Sequence, residues 1–324
     1  MCKCIVRRNI KMNLFICRTI FQVYYAGILI KNKNIKDVML AYLSEGLSDR
    51  EKNVLSCCGI NRIVVIEGSN PYKRLLKQIW FLNYLKRITK KQSVSLYFSS
   101  IDDPFIQAII SKNKFGDVYT FDDGTANYIQ NSFFYVETKR NIFVRIKYYL
   151  IGNRIKSLCE VKKLIKIHYS TNHLKNIIDN VEYIPLYGKS NHSDLSVESK
   201  KHEVVNLYLC PNFDEIYIDA EKVKRKFIST LTKHDIIIPH PRDKCMWDAE
   251  ANYKIRNDTM AEIVIDEYLS KGCLINLFGI ANSTQYHYLQ NNKVVNHVID
   301  IGEIKPKFKE VIPKQIDCFK KLTK

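Results

Sequence analysis

Short apolar runs rich in β-branched residues alternate along this chain with longer stretches whose apolar positions recur at helical spacing. In the first half the short runs predict strands at Asn13–Cys17, Val38–Ala41, Arg62–Ile66, Val94–Phe98 and Val118–Phe121. The longer patterns between them predict helices over Thr19–Lys31, Tyr72–Thr89 and Pro104–Lys112, the last with Asp103 as its cap and Pro104 in first position. A second series follows, with strands at Leu164–Tyr169, Val204–Cys210, Asp235–Ile238 and Leu274–Phe278 and helices over Glu215–Leu231, Thr259–Leu269 and Thr284–Gln290. The polar segment Gly188–Glu203 reads as a surface loop. Strand–helix alternation of this kind predicts an α/β protein with parallel sheets. Two doubly wound Rossmann-type halves, residues 12–160 and 161–290, are expected with a cleft between them and a basic tail over 291–324. Ligands in such folds gather at the carboxyl ends of the strands.

Composition narrows the class. A hydrophobic fraction of 46% suits packed cores rather than disorder. The formal net charge of +18 favours anionic partners: nucleic acid, an anionic membrane, or a substrate bearing phosphate or carboxylate. Cys17, Cys210 and Cys273 lie in or beside apolar runs and no CxxC pair occurs, so reduced, buried thiols are expected rather than a disulfide framework. The apolar run Leu14–Ile30 follows Arg7, Arg8 and Lys11, as a membrane anchor would. It contains Arg18 and Gln22, however, and a central arginine costs about 2.5–3.5 kcal/mol on insertion. A strand, a turn and a helix are the better reading.

Three short motifs fall at predicted strand ends. Asp122-Asp123-Gly124 follows Val118–Phe121. An acidic pair at a strand end can supply a general base, can hold a metal, or can simply form a turn. Pro239-His240-Pro241-Arg242 follows Asp235–Ile238. Two prolines restrict the backbone of His240, which suits a proton or hydrogen bond given to a leaving phosphate, with Arg242 adding charge; the plain alternative is a proline-rich loop. Gly279 and Asn282-Ser283-Thr284 follow Leu274–Phe278. Hydroxyls at a helix start can hold an anion or merely cap the helix.

In this order and spacing the motifs resemble those of the bacterial sialyltransferases of glycosyltransferase family 52. That family has an Asp-(Asp/Glu)-Gly motif, a His-Pro motif and a Ser-(Ser/Thr) motif, here Asp122-Asp123-Gly124, His240-Pro241 and Ser283-Thr284. The opening Asn13–Cys17 with Thr19 and Gln22 also looks like the family's first strand and turn, and residues 1–11 lie outside the likeness. The resemblance implies a GT-B-like fold, an acceptor-side first domain with the base, and a second domain that binds the CMP-sugar. It implies inverting transfer of sialic acid from CMP-sialic acid to a terminal galactose, in α-2,3 linkage, on a lipooligosaccharide or capsular glycan. No cofactor is implied, and no metal. By motif position Asp122 would deprotonate the acceptor hydroxyl and His240 would protonate or hydrogen-bond the departing phosphate. Ser283 and Thr284 would hold that phosphate, with Pro241 and Gly279 beside it. Asp123 would shape the turn, and Gly124 would let the backbone approach the acceptor.

Basic surfaces suggest partners beyond the donor. Tyr72–Lys91 carries seven cations and no acid, together with Trp80, Phe81 and Tyr84. Asn141–Lys166 carries seven more cations, and seven lysines follow Gly302. These features suit an anionic membrane surface and a lipid-linked acceptor, hence a peripheral place on the inner face of the bacterial cytoplasmic membrane. A homodimer stays open. His168 and His173 read as structural or exposed, and no histidine has zinc-ligand spacing with cysteine. The nearest rival reading is a glycosyltransferase with a nucleotide-hexose donor. A basic nucleic-acid-binding protein is the rival from another class, and no recognised binding signature supports it.

Overall fold

Strands buried on both faces of a parallel sheet read as continuous apolar runs, and the chain builds two such sheets. The computed structural model describes residues 11–68, 70–130, 132–137, 141–186, 203–243, 247, 253–299 and 302–323. The chain divides into two units, at Ile184 and Pro185.

The first unit contains β1 (Met12–Cys17), α1 (Ile20–Asn32), β2 (Val38–Ser44), α2 (Asp49–Cys57), β3 (Ile63–Glu67), α3 (Pro71–Lys91), β4 (Val94–Phe98), α4 (Pro104–Lys112), β5 (Val118–Phe121), α5 (Ile142–Leu150), α6 (Leu158–Leu164), β6 (Ile167–Ser170) and β7 (Val181–Tyr183). Its strands pair in parallel in the order β3-β2-β1-β4-β5-β6-β7. The order reverses between β1 and β4, which makes that point the switch of a doubly wound sheet. All five residues of β4 are buried. One core cluster joins Leu14, Ile16, Leu96 and Phe98 of the sheet to Phe81, Leu85, Ile106 and Ile109 of α3 and α4. Asp103 caps α4 by accepting the N–H groups of Phe105 and Ile106 at 2.8 and 2.9 Å, with Pro104 in first position.

The second unit contains β8 (Val204–Leu209), α7 (Phe213–Ile216), α8 (Ala220–Ile228), β9 (Asp235–Ile238), β10 (Lys254–Ile255), α9 (Ala261–Ser270), β11 (Leu274–Gly279), α10 (Ser283–His287), β12 (Val294–Val298) and α11 (Val311–Leu322). Its parallel order is β10-β9-β8-β11-β12, reversing between β8 and β11.

Several expectations shift. The run Leu164–Tyr169 forms a strand only from Ile167, because Leu158–Leu164 is helical, and β6 pairs with β5. The first unit therefore runs to Ile184 rather than ending at 160, and the basic stretch 141–166 is its β5–β6 crossover. The helix expected over Glu215–Leu231 divides into two. Tyr217 leaves α7 for a bridge to Ile304, and Asp219 caps α8 by accepting the N–H of Lys222 at 3.0 Å. Residues beyond 290 supply β12 and α11 rather than a tail. The loop expected at 188–203 lies, but for Glu203, outside the described residues. The N-terminal apolar run forms β1 and α1, and among the described residues no helix is long and apolar enough to cross a membrane.

Candidate functional site

At the end of β5 two adjacent aspartates meet opposite environments. Successive residues of extended chain project to opposite sides, so Asp122 and Asp123 diverge. Asp122 has no exposed surface. Its Oδ1 lies 2.9 Å from His168 Nε2 and 3.1 Å from Asn176 Nδ2. Its Oδ2 is approached by the Tyr128 hydroxyl, by Ser170 Oγ at 3.0 Å, and by Thr171 through its N–H at 2.6 Å and its hydroxyl at 3.0 Å. The Thr120 oxygen lies 2.8 Å from His168 Nδ1. A Thr120 hydroxyl donating to Nδ1 and an Nε2–H donating to Asp122 satisfy every member of that chain. A carboxylate offers about four lone-pair sites. Six donor groups crowd around Asp122, so nothing remains for an acceptor hydroxyl. The role of base that the resemblance gives to Asp122 conflicts with this burial.

Asp123 is half-buried and reaches the switch point of the sheet. It accepts from the Gln22 amide, at the start of α1 after β1, and from the Ser100 hydroxyl after β4, the latter at 2.8 Å. Gln22 is oriented in turn by accepting the Arg18 N–H at 2.6 Å. Burial pushes the Asp123 carboxyl up to about 6 despite the Gln22 and Ser100 hydrogen bonds and the Arg18 charge, and Asp102 adds to the rise. A carboxyl poised there is ionised at neutral pH yet basic enough to accept a proton. Asn127 Oδ1 holds the Asp123 N–H at 2.7 Å. Gly124 between them has φ 118° and ψ −152°, a region that only glycine adopts readily, so its need is conformational. Asp102 and Pro104 also line a groove of about 1090 Å³ walled by Phe133, Ile142, Ile146 and Tyr149.

In the second unit the two other motifs stand at carboxyl ends of the strands that flank β8. His240, after β9, is half-buried; its Nδ1 accepts the Arg242 N–H at 3.1 Å and its carbonyl accepts the Asp243 N–H at 2.9 Å. The Nδ1 contact assigns the proton of the neutral ring to Nε2. Arg242 lies 3.3 Å from Glu215, beside a depression of about 600 Å³ lined by Asn212, Asp214, Pro241 and Asp243. Its expected charge contact to phosphate is thus shared with an acid. After β11, Asn282 rather than Ser283 or Thr284 caps α10, accepting the Gln285 N–H at 3.1 Å. Ser283 is half-buried at the first helical position. Thr284 is buried and donates its hydroxyl to Glu262 at 2.8 Å. Its expected role as a phosphate ligand conflicts with that bond. A Cβ at Gly279 would stand 2.6 Å from Gln285 Oε1, which explains the glycine.

Sequence reasoning missed the partners that decide these roles. Ser100, His168, Thr171, Asn176 and Gln285 carry no motif of their own, and Gln22 was visible only through the family likeness. Among the described residues no group of three or more histidine, cysteine or acidic side chains could hold a metal ion.

Comparison with known proteins bears on this geometry. The model of glycosyltransferase family 52 matches residues 61–303. A CMP-N-acetylneuraminate:beta-galactoside alpha-2,3-sialyltransferase of Pasteurella multocida (strain Pm70) is 31% identical over 273 residues, 81% of each chain. An N-acetyllactosaminide alpha-2,3-sialyltransferase of Haemophilus influenzae is 25% identical over 268 residues, 80% of this chain and 82% of its own. The crystal structure of the glycotransferase of kitacinnamycin superposes with a TM-score of 0.50 at 10% identity, covering 97% of this chain and 94% of that one, a likeness of fold.

The two aspartates should separate on substitution. Asp122→Asn should lower unfolding stability by about 3–5 kcal/mol, because it removes the charge that a buried donor set was built around. Asp123→Asn should leave the urea midpoint at neutral pH unchanged or raised, because burial opposes the ionised Asp123 carboxyl. Midpoints in the reverse order would exchange the two roles.

Proposed function

The chain belongs to glycosyltransferase family 52 and has its two-Rossmann GT-B fold, and from that premise we propose that it moves sialic acid from CMP-sialic acid to a galactose-terminated acceptor. The acceptor bond formed is α-2,3, as in the names of both relatives, and the transfer inverts the anomeric centre. The single observation that carries the mechanism is Asp123, half-buried at the sheet's switch point, oriented by Gln22 and Ser100, with its carboxyl raised to about 6.

Breaking the bond between sialic acid and CMP develops positive charge on the sugar and negative charge on phosphate. The reaction needs a base on the nucleophile and a hydrogen-bond donor on the leaving group. In this reading Asp123 takes the proton of the galactose hydroxyl, and Asp122 fixes the turn that presents it. His240, through Nε2–H, donates to the leaving phosphate. Ser283 contributes a hydroxyl to that phosphate, while Thr284 anchors the helix through Glu262. The net charge of +18 suits a donor with both phosphate and carboxylate. No metal takes part.

The acceptor side favours a lipid-linked glycan of lipooligosaccharide or capsule type at the inner face of the cytoplasmic membrane. No residue of α5 is buried; Phe143 is 76% and Leu150 75% exposed. Residues 141–159 hold Arg145, Lys147, Arg154 and Lys156 and no acid. On α3, Tyr72, Leu76, Ile79 and Trp80 form an exposed stripe at helical spacing amid its cations. Apolar insertion flanked by positive charge is the chemistry of an anionic lipid surface.

Three tests follow. Incubated with CMP-sialic acid or UDP-glucose and a galactoside panel, the protein should transfer only sialic acid, and should do so in excess EDTA. Transfer from UDP-glucose alone would establish the rival donor; loss in EDTA with recovery on adding Mn²⁺ would make the acidic pair a metal site. For the base, kcat/KM should climb with pH through an apparent pKa near 6, since only the ionised Asp123 accepts a proton. Asp123→Asn should lower the rate by about 10²–10⁴ and abolish that limb. An unchanged profile would remove Asp123 from the chemistry. For the surface, the protein should float with vesicles containing phosphatidylglycerol and not with neutral ones. Phe143→Ser/Leu150→Ser should abolish flotation while transfer to a soluble galactoside continues; flotation unaltered by the pair would exclude α5 as the anchor.

A further inference from the structure

The loop between β11 and α10 holds Ser283 through a backbone conformation that its own residues do not favour. Ala281 has φ +58°, in the left-handed region where a side chain is disfavoured and glycine is at ease. Something outside the residue has to keep it there. Two glutamines do so from opposite sides.

The first is Gln285, fully buried. Its side-chain oxygen accepts the N–H groups of Ala281 at 2.8 Å and Asn282 at 3.3 Å. Its amide donates to the carbonyl of Leu277 at 3.3 Å and of His297 at 2.9 Å. It thereby fastens the loop to β11 and β12. The second is Gln315, on α11, whose side-chain amide donates to the Ala281 carbonyl. α11 is docked on α10 at the same place. Tyr286 donates its hydroxyl to the Gln315 carbonyl at 3.2 Å, and its ring meets that of Phe319 edge-on at 4.9 Å. Both polar groups of the Ala281 peptide frame are therefore satisfied by side chains, one from α10 and one from a helix 34 residues downstream.

We propose that Gln315 is a positioning residue for the donor phosphate: it latches Ala281 in its left-handed conformation and so fixes Ser283 at the start of α10. The inference rests on the reading of Ser283 as a phosphate contact. Without the latch, Ala281 relaxes towards negative φ and carries Asn282 and Ser283 with it. The donor then binds a loop that must first be ordered, and affinity falls by that cost. A residue that merely supports the fold would lower stability without moving nucleotide affinity.

Gln315 is half-buried, so Gln315→Met keeps the length of the side chain and leaves α11 docked through Ile312 and Phe319. CMP affinity by calorimetry, and donor KM and kcat, should be measured alongside the melting temperature. Gln315→Met should weaken CMP binding and raise donor KM by about fivefold to tenfold, the worth of one hydrogen bond, with kcat within about twofold. Adding Ala281→Gly should restore at least half of that loss, because glycine takes the left-handed conformation without penalty. Gln315→Asn, too short to reach, should behave as Gln315→Met does. Unchanged CMP affinity with a lower melting temperature would reduce Gln315 to a packing role and overturn the proposal. Failure of glycine to rescue would overturn the latch as the cause. Absence of CMP binding in the unsubstituted protein would overturn the functional reading together with the latch, whereas binding unchanged by Gln315→Met overturns the latch alone.

Discussion

Burying a carboxylate where no water reaches it is tolerable only if the fold itself supplies the donors, and Asp122 is such a group. Its partners arrive from three directions. His168 and Ser170 come from β6, Thr171 and Asn176 from the segment after it, and Tyr128 from the turn that Gly124 opens. One anion thus fastens β5 to β6 and ties down the chain on either side. The geometry of the neighbouring turn, and with it the direction of Asp123, follows from that anchorage.

Rigidity next door suits the base role proposed for Asp123. Asp123 lies where the order of the first sheet reverses, with Gln22 and Ser100 reaching it from the ends of β1 and β4. Its partial burial has an energetic sign. The carboxyl is raised from an ordinary 3.8 to about 6, so the folded protein holds this proton more firmly than the unfolded chain does. Its contribution to stability is fully present below the lower value and is lost as pH rises through the upper one. At neutral pH the fold therefore carries an ionised group that burial opposes, a cost characteristic of reactive sites. The second unit holds a turn of its own in a comparable way. Asn282 and Gln285 hold the start of α10, Glu262 engages Thr284, and Ser283 is left at the first helical position.

Much of the fold was legible because buried parallel strands leave uninterrupted apolar runs. β4, β5 and β9 coincide with the runs Val94–Phe98, Val118–Phe121 and Asp235–Ile238. β7 and β10 are short and lie in partly exposed chain, so they left no such trace. In sequence the crossover that holds α5 shows only as a basic stretch, since a helix that buries nothing shows no core-facing stripe. For the site, the motif positions were legible and the roles were not. Asp122 and Asp123 are chemically identical in sequence, and what separates them is His168 and Thr171, 46 and 49 residues further on. Ser283 and Thr284 differ in the same way. Neighbours on a helix point about 100° apart, and only the packed structure decides which hydroxyl turns inward to Glu262.

The division between the two aspartates is open to direct observation. In protein labelled with ¹³C at the aspartate side-chain carboxyl, the Asp123 resonance, identified by its loss in Asp123→Asn, reports the ionisation of that one group. That resonance should titrate with a midpoint near 6. A midpoint near 4, the ordinary carboxylate range, would contradict the base role, because Asp123 would then lack the basicity assigned to it.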